Sequence, residues 1–317
     1  MRGALPDDII RFAHTTAPSE GGEMSIFPTR ILLATDGSTE AELAARTAVD
    51  LSQKTDSELH VIHVLDVAKV ALSMAVLYPG ATDAEGVELE DPVLEEELER
   101  RAKQGGREVL DEAVRRVRSA GGTVAQSHLP MGEVDREIAH LAEDLGAGLI
   151  VMGSRGRGGL RRALMGGVSD SVVRHAHCPV MVVRGEPVIF PTNLLVATDG
   201  SREAQLAATT AADLAKSTSS ELHVVHVGYE PGTDEAQEEF DRELAMIGET
   251  GATGVRAHLE FGWPAGKIVE LGEEIGAGVI VMGSRGFGGV RRALLGSIAD
   301  TVVRHAHCPV LVVRQEE

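Results

Sequence analysis

Gly153-Ser154-Arg155-Gly156, with Gly166-Gly167 downstream, returns later in the chain as Gly283-Ser284-Arg285-Gly286 with Gly296-Ser297. Each copy follows an apolar run, Leu149-Ile150-Val151-Met152 or Val279-Ile280-Val281-Met282. Each precedes a helix-like stretch and a second apolar run. The order reads as strand, glycine loop, helix. A glycine loop that enters a helix N-terminus can hold phosphate, because unpaired backbone N–H groups and the helix dipole both point at the anion. The chain therefore reads as two copies of a small nucleotide-binding α/β domain.

Working outward, Ala34-Thr35-Asp36-Gly37-Ser38 recurs as Ala197-Thr198-Asp199-Gly200-Ser201. Asp36 and Asp199 lie 163 positions apart, whereas Gly153 and Gly283 lie 130 apart, so the first copy carries about 33 extra residues. His128-Leu129 and His258-Leu259 already show the shorter offset, which places the insertion between Val64 and His128, at about 66–100. Ile31–Thr35 and Leu194–Thr198 read as buried strands. Helical patterns follow, with Ser38 and Ser201 as N-caps. Second strands are expected at Leu59–Leu65 and Leu222–Val227. Each copy continues with a charged helix, a third strand, a short helix, the strand before the glycine loop, and a fifth strand at Pro179–Val183 or Pro309–Val313. Apolar runs alternating with helices indicate a parallel sheet covered on both faces. The expected fold class is α/β: two tandem Rossmann-like or flavodoxin-like domains, each a five-stranded parallel sheet. The expected divisions are a mobile tail at 1–25, a first domain at 26–186 and a second at 187–317. The terminal, Val-rich fifth strands invite edge pairing, giving an intramolecular pseudo-two-fold dimer; a further homodimer of whole chains stays open.

Composition narrows the partners. The 317 residues suit about two domains. Aromatics make up 3%, so the cores rest on Val, Leu, Ile and Ala. A net charge of -19 argues against nucleic acid and anionic membrane as partners. No apolar run approaches the roughly 18 residues of a spanning helix. The N-terminus shows no secretory pattern. Two cysteines, Cys178 and Cys308, do not make a disulfide framework. A reduced, cytoplasmic setting is expected.

Ligands of open α/β sheets sit outside the carboxyl ends of the strands. There each copy brings an aspartate (Asp36 or Asp199), the end of the second strand (Val64 or Val227) and the glycine loop. These motifs, with Gly-x2-Gly-x9-Gly-Ser, resemble the universal stress protein family in its tandem, ATP-binding form, over about residues 26–317. By that resemblance Asp36, Asp199 and the backbones of Val64 and Val227 contact adenine. Gly153, Gly156, Gly283 and Gly286 let the backbone approach ribose and phosphate. Gly166, Gly296 and Ser297 lie at the phosphates, and Met152 and Met282 line the site. Repeat one departs from the pattern, with Gly167 in place of the hydroxyl residue. A hydrogen bond to a charged group is worth roughly 1.5–3 kcal/mol. Site one is then expected to bind about ten- to a hundred-fold more weakly, unless the Gly167 N–H serves instead.

Plainer readings stand beside these. Glycines in such loops also simply turn the chain, and Asp36 and Asp199 also suit an Asx turn. Gly262–Lys267 is one residue short of a Walker A loop and ends in Ile268. His175-Ala176-His177-Cys178 and His305-Ala306-His307-Cys308 invite a metal reading, but a closed zinc site wants four ligands. Arg155, Arg157, Arg161, Arg162, Arg285, Arg291 and Arg292 cluster around the loops and suit phosphate, or form a solvated face. The expected function is a sensor or regulator of the stress response. It would bind ATP, with Mg2+ arriving on the triphosphate, and act through a regulatory protein partner. Slow ATP hydrolysis and a nucleotide-free interaction module are the competing readings, and no catalytic residue is assigned.

Overall fold

The computed structural model describes residues 9–10, 26–68, 70, 92–156, 165–228, 234–249, 254–286 and 295–314. In repeat one, β2 (Arg30–Ala34) lies between β3 (Glu58–Ile62) and β7 (Leu149–Gly153), all parallel. β5 (Gln126–His128) extends the sheet beyond β3, and β8 (Val180–Val183) extends it beyond β7. Repeat two repeats this order with β13 (Val310–Val313), β12 (Ala277–Gly283), β9 (Asn193–Thr198), β10 (Glu221–Gly228) and β11 (Val255–Phe261). Each repeat is thus a five-stranded parallel sheet. The two fifth strands, β8 and β13, pair antiparallel through Val182–Val310, Met181–Leu311 and Val180–Val312. That junction fuses both halves into one 11-stranded sheet.

Strand side chains alternate between faces, and both faces are buried, which is why the runs are continuously apolar. Ile31 and Leu33 join one cluster with α1 (Thr39–Lys54), α2 (Pro92–Ser119), α5 (Arg202–Thr218) and α6 (Asp234–Glu249). Leu32 and Ala34 join the other with α3 (Val134–Leu145), α4 (Gly167–His175), α7 (Pro264–Glu274) and α8 (Ser297–His305). Each fully buried Leu, Ile or Val contributes roughly 1.5–3 kcal/mol.

Two details go beyond the expected plan. The tail expected at 1–25 contains β1 (Ile9–Ile10), which pairs antiparallel with Val255–Arg256 of β11. Edge pairing satisfies backbone groups that would otherwise stay open. The second strand of repeat one is also not continuous. It stops at Ile62 and resumes as β4 (Leu65–Asp66), which among the described residues pairs with β6 (Met131–Gly132) and not with β2. Past Ile62 the chain has lost its β2 neighbour and keeps one side of its ladder. Most of the expected insertion lies outside the described residues; what is described of it lengthens α2 to 28 residues, against 16 in α6.

Reciprocal contacts lock the repeats together. The segment entering repeat two donates from Val188 N to Thr47 Oγ1 (2.9 Å) and from Phe190 N to Asp50 Oδ2 (2.7 Å) on α1. The segment entering repeat one donates from Ile26 N to Asp213 Oδ2 of α5 (3.1 Å). Arg184, just after β8, donates to Val303 O at the end of α8 (2.7 Å), and Arg314 donates to Arg174 O and Ala176 O at the end of α4. A cation at a helix C-terminus meets unsatisfied carbonyls and the favourable end of the dipole. Asp170, Arg174, Asp300 and Arg304 close a four-membered network across the junction. The Arg174 hydrogen bond, reinforced by Arg304, holds the Asp170 carboxyl below its ordinary range.

Candidate functional site

Asp36 and Asp199 sit just past the first strand of each repeat. Gly37 (φ +73°) and Gly200 (φ +78°) follow in the left-handed region that favours glycine. Each aspartate accepts through Oδ1 from a backbone N–H two residues on, Ser38 or Ser201, at 3.0 Å. Ser38 and Ser201 then cap their helices, accepting from Ala41 N (3.3 Å) and Ala204 N (3.2 Å). The Asx turn is therefore present, and it occupies one carboxylate oxygen. The other is held against the glycine loop. A Cβ on Gly156 would lie 2.3 Å from Asp36 Oδ2, and one on Gly286 would lie 2.1 Å from Asp199 Oδ2.

The second strand supplies a backbone edge. Ladder pairing with the first strand ends at Thr35 N–Ile62 O in repeat one and at Thr198–His226 in repeat two. His63 N and Leu65 N bond toward the third strand, to His128 O and Pro130 O. Successive residues of a strand face opposite neighbours. The N–H and C=O of Val64 therefore face the first-strand side, beyond its last ladder bond, where Asp36 lies. Gly228 O accepts from Gly262 N on the third-strand side (2.9 Å), so Val227 faces Asp199 in the same way. Each repeat thus sets a donor and an acceptor on the backbone beside a carboxylate. That set matches the edge of a base carrying an amine and a ring nitrogen.

At the loop, the glycines do different work. A Cβ on Gly153 would meet the backbone of Glu40 at 2.8 Å, and one on Gly283 would meet Glu203 at 3.0 Å. These two glycines admit the first turn of α1 or α5. Gly166 and Gly296 are the N-caps of α4 and α8, and neither helix has a side-chain cap. Among the described residues no side chain caps their first-turn N–H groups, an arrangement suited to receiving phosphate. A Cβ on Gly167 meets nothing within 4 Å; Ser297 occupies the same place in repeat two, also exposed. Met152 and Met282 are each 5% exposed and pack in the apolar cluster beneath the loop. Arg157, Arg161, Arg162, Arg291 and Arg292 lie outside the described residues.

The first-turn glutamate was not singled out in the sequence, although Glu40 and Glu203 repeat at the same 163-residue offset as the aspartates. Glu203 accepts from Ser284 Oγ (2.6 Å) and pairs with Arg285 at 2.8 Å. In repeat one, Ser154 Oγ is buried with no hydrogen-bond partner among the described residues. Behind each loop stands a second arginine. Burial first, and then the charge of Arg155, lowers the Arg184 pKa; burial and Arg285 act likewise on Arg314.

The His-Cys segments make local contacts. His175 and His305 bond back to carbonyls four residues earlier, Ser171 O (2.9 Å) and Thr301 O (2.8 Å). Cys178 and Cys308 are buried, and burial pushes the Cys308 thiol up to about 12, which keeps it protonated and unreactive. Among the described residues, no group of three or more His, Cys, Asp or Glu is placed to hold a metal. No helix among them is long and apolar enough to cross a membrane.

Comparison with known proteins agrees with this arrangement. The model of the universal stress protein family matches twice, over residues 28–184 and 191–314. A universal stress protein of Mycobacterium tuberculosis, Rv2005c, is 30% identical over 306 residues, covering 90% of this chain and 97% of that protein. Another from the same species, Rv2623, is 29% identical over 306 residues, covering 90% and 96%. The crystal structure of a universal stress protein from Archaeoglobus fulgidus superposes with a TM-score of 0.70 at 27% identity, covering 92% of this chain and 98% of that one.

Proposed function

The chain belongs to the universal stress protein family, and we propose that it binds ATP at the carboxyl end of both half-sheets, as a regulator in the stress response. The observation that carries this reading is the pairing, in each repeat, of two complementary surfaces. One is the open backbone edge of Val64 or Val227 beside an aspartate. The other is the uncapped helix start at Gly166 or Gly296. The first suits adenine. The second suits a phosphate tail, with arginines behind it.

The residues that would hold the nucleotide are Asp36, Val64, Gly156, Gly166 and Gly167 in repeat one. In repeat two they are Asp199, Val227, Gly286, Gly296 and Ser297. Mg2+ would arrive on the triphosphate. Nucleotide shifts the protein between states only by its differential affinity for them. The regulatory output is then a protein partner that reads the bound state in the cytoplasm.

The test is to denature the purified chain and quantify released adenine nucleotides, with a thermal shift in millimolar Mg-ATP alongside. Bound ATP, or a clear rise in melting temperature, supports the reading. At about 100-fold excess over the dissociation constant, binding stabilises by about 2.7 kcal/mol. No nucleotide and no shift would contradict it.

A further inference from the structure

Trp263 is the one tryptophan of the chain and its most exposed large apolar side chain among the described residues, at 64%. Its position is specific. It follows β11 at the carboxyl end of the sheet and is the N-cap residue of α7. Gly262 N donates to Gly228 O at 2.9 Å, which ties this turn to the residue after Val227. Val227 pairs with Glu260, three residues before Trp263. Strand spacing and rise put the Trp263 Cα on the order of 10 Å from the Val227 backbone. An indole and a purine together span that gap.

The ring is also held in place. A Cβ on Gly266 would lie 2.8 Å from Cε3 of the indole, so the ring rests against the first turn of α7 where only glycine leaves room. One side is fixed and the rest faces solvent. A rigid, half-supported aromatic ring is a suitable platform for a base, because every base has a π-face. The net charge of -19 argues against a nucleic acid as the source of that base. The matching position of repeat one has no such ring. At the same offset it carries Glu133, ion-paired with Arg136 at 2.9 Å.

We propose that Trp263 stacks on the nucleobase bound in repeat two, making it a base-binding residue that repeat one lacks at the matching position. This rests on the nucleotide reading above. The lone tryptophan makes it directly readable. The full-length chain, freed of carried-over nucleotide, is titrated with Mg-ATP while tryptophan emission and heat are recorded in parallel. Emission should change and saturate with the tighter binding step. Magnesium tripolyphosphate, which offers phosphates without a base, should leave emission unchanged. Trp263→Ala should weaken the tighter step by about tenfold, equivalent to about 1.4 kcal/mol, while Trp263→Phe stays within about threefold. Because the side chain is exposed, neither variant should disturb folding.

Heat of binding with unchanged emission, and an unaltered dissociation constant in Trp263→Ala, would overturn the stacking role and leave the nucleotide reading standing. Quenching by tripolyphosphate equal to that by ATP would also overturn it, since the ring would then report loop ordering. Absence of any heat with Mg-ATP would overturn both.

Discussion

Repeat one and repeat two share a backbone plan but spend the same residues differently. In repeat two the first-turn glutamate, Glu203, is 13% exposed in its side chain and clasps Ser284 and Arg285 of the glycine loop. In repeat one the equivalent Glu40 makes no such bond to Ser154, whose hydroxyl is buried without a hydrogen-bond partner among the described residues. Repeat two also has Ser297 where repeat one has Gly167, and Trp263 where repeat one has Glu133. Duplication thus preserved the strand ends that present a site. The groups that tune it diverged. Repeat two carries the braced loop, the hydroxyl and the aromatic ring, so it is the expected tighter site.

The largest expected effect comes from the glycine that faces each aspartate. Gly286→Ala places a Cβ where Asp199 Oδ2 now lies, 2.1 Å away, so the carboxylate must leave its position. We expect repeat two to lose affinity by about a hundred-fold, roughly 2.8 kcal/mol. Gly156→Ala should do the same to repeat one. Nucleotide bound per chain checks both, and a loss at both sites from either single variant would break the comparison.

A pH effect separates the repeats next. His223 and His258 stack with ring centroids 5.2 Å apart and Nδ1···Nε2 at 2.9 Å; His60 and His128 are looser, at 5.6 and 3.4 Å. Burial, and then His258, lowers His223 to about 4. In repeat one it is His128 that is lowered, by burial first and His60 second. A histidine whose folded pKa lies below the unfolded value of about 6.5 takes up its proton more readily when unfolded. Its neutral, buried form therefore stabilises the fold fully above pH 6.5. That contribution falls away as pH drops toward 4. Urea denaturation of His223→Gln should show a shallower loss of stability across this window than the parent chain. An unchanged slope would contradict the assignment.

The glutamate contrast is sharper still as a paired experiment. Glu203→Ala leaves Ser284 Oγ and Arg285 without their acceptor, at a cost of about 2 kcal/mol. Glu40→Ala, at a half-buried position that makes no such bond to Ser154, should cost about 1 kcal/mol or less. Denaturation midpoints of the two variants decide it; equal losses would erase the distinction between the loops. The smallest effect is a gain. A Cβ on Gly167 enters open space, so Gly167→Ser should install the missing hydroxyl without strain. Site one should then tighten by about tenfold, read by calorimetry.

Much of this architecture was legible in the chain. Ile31-Leu32-Leu33 and Leu149–Met152 could only be strands buried on both faces. Ser38 and Ser201 read as caps because an oxygen-bearing side chain stood before each helix. The Val-rich fifth strands indicated the junction that β8 and β13 form. Other features rest on contacts distant in sequence. Glu203 reaches Ser284 across 81 positions, and no local pattern marks that reach. Two isoleucines, Ile9 and Ile10, carry no periodicity, so their pairing with β11 was invisible. The family resemblance implies that Gly153 lets the backbone approach a ligand; the fold adds that the nearest atoms to its missing Cβ belong to Glu40. A glycine in sequence says that space is needed; only the fold says what fills it.

The proposal of two unequal ATP sites in one chain is open to direct measurement. Calorimetric titration of the nucleotide-free, full-length protein with Mg-ATP tests it most directly. Two binding events per chain are expected, separated by about tenfold or more in affinity, with the tighter one abolished by Gly286→Ala. Two identical events, or a tighter event that survives Gly286→Ala and disappears in Gly156→Ala, would contradict it.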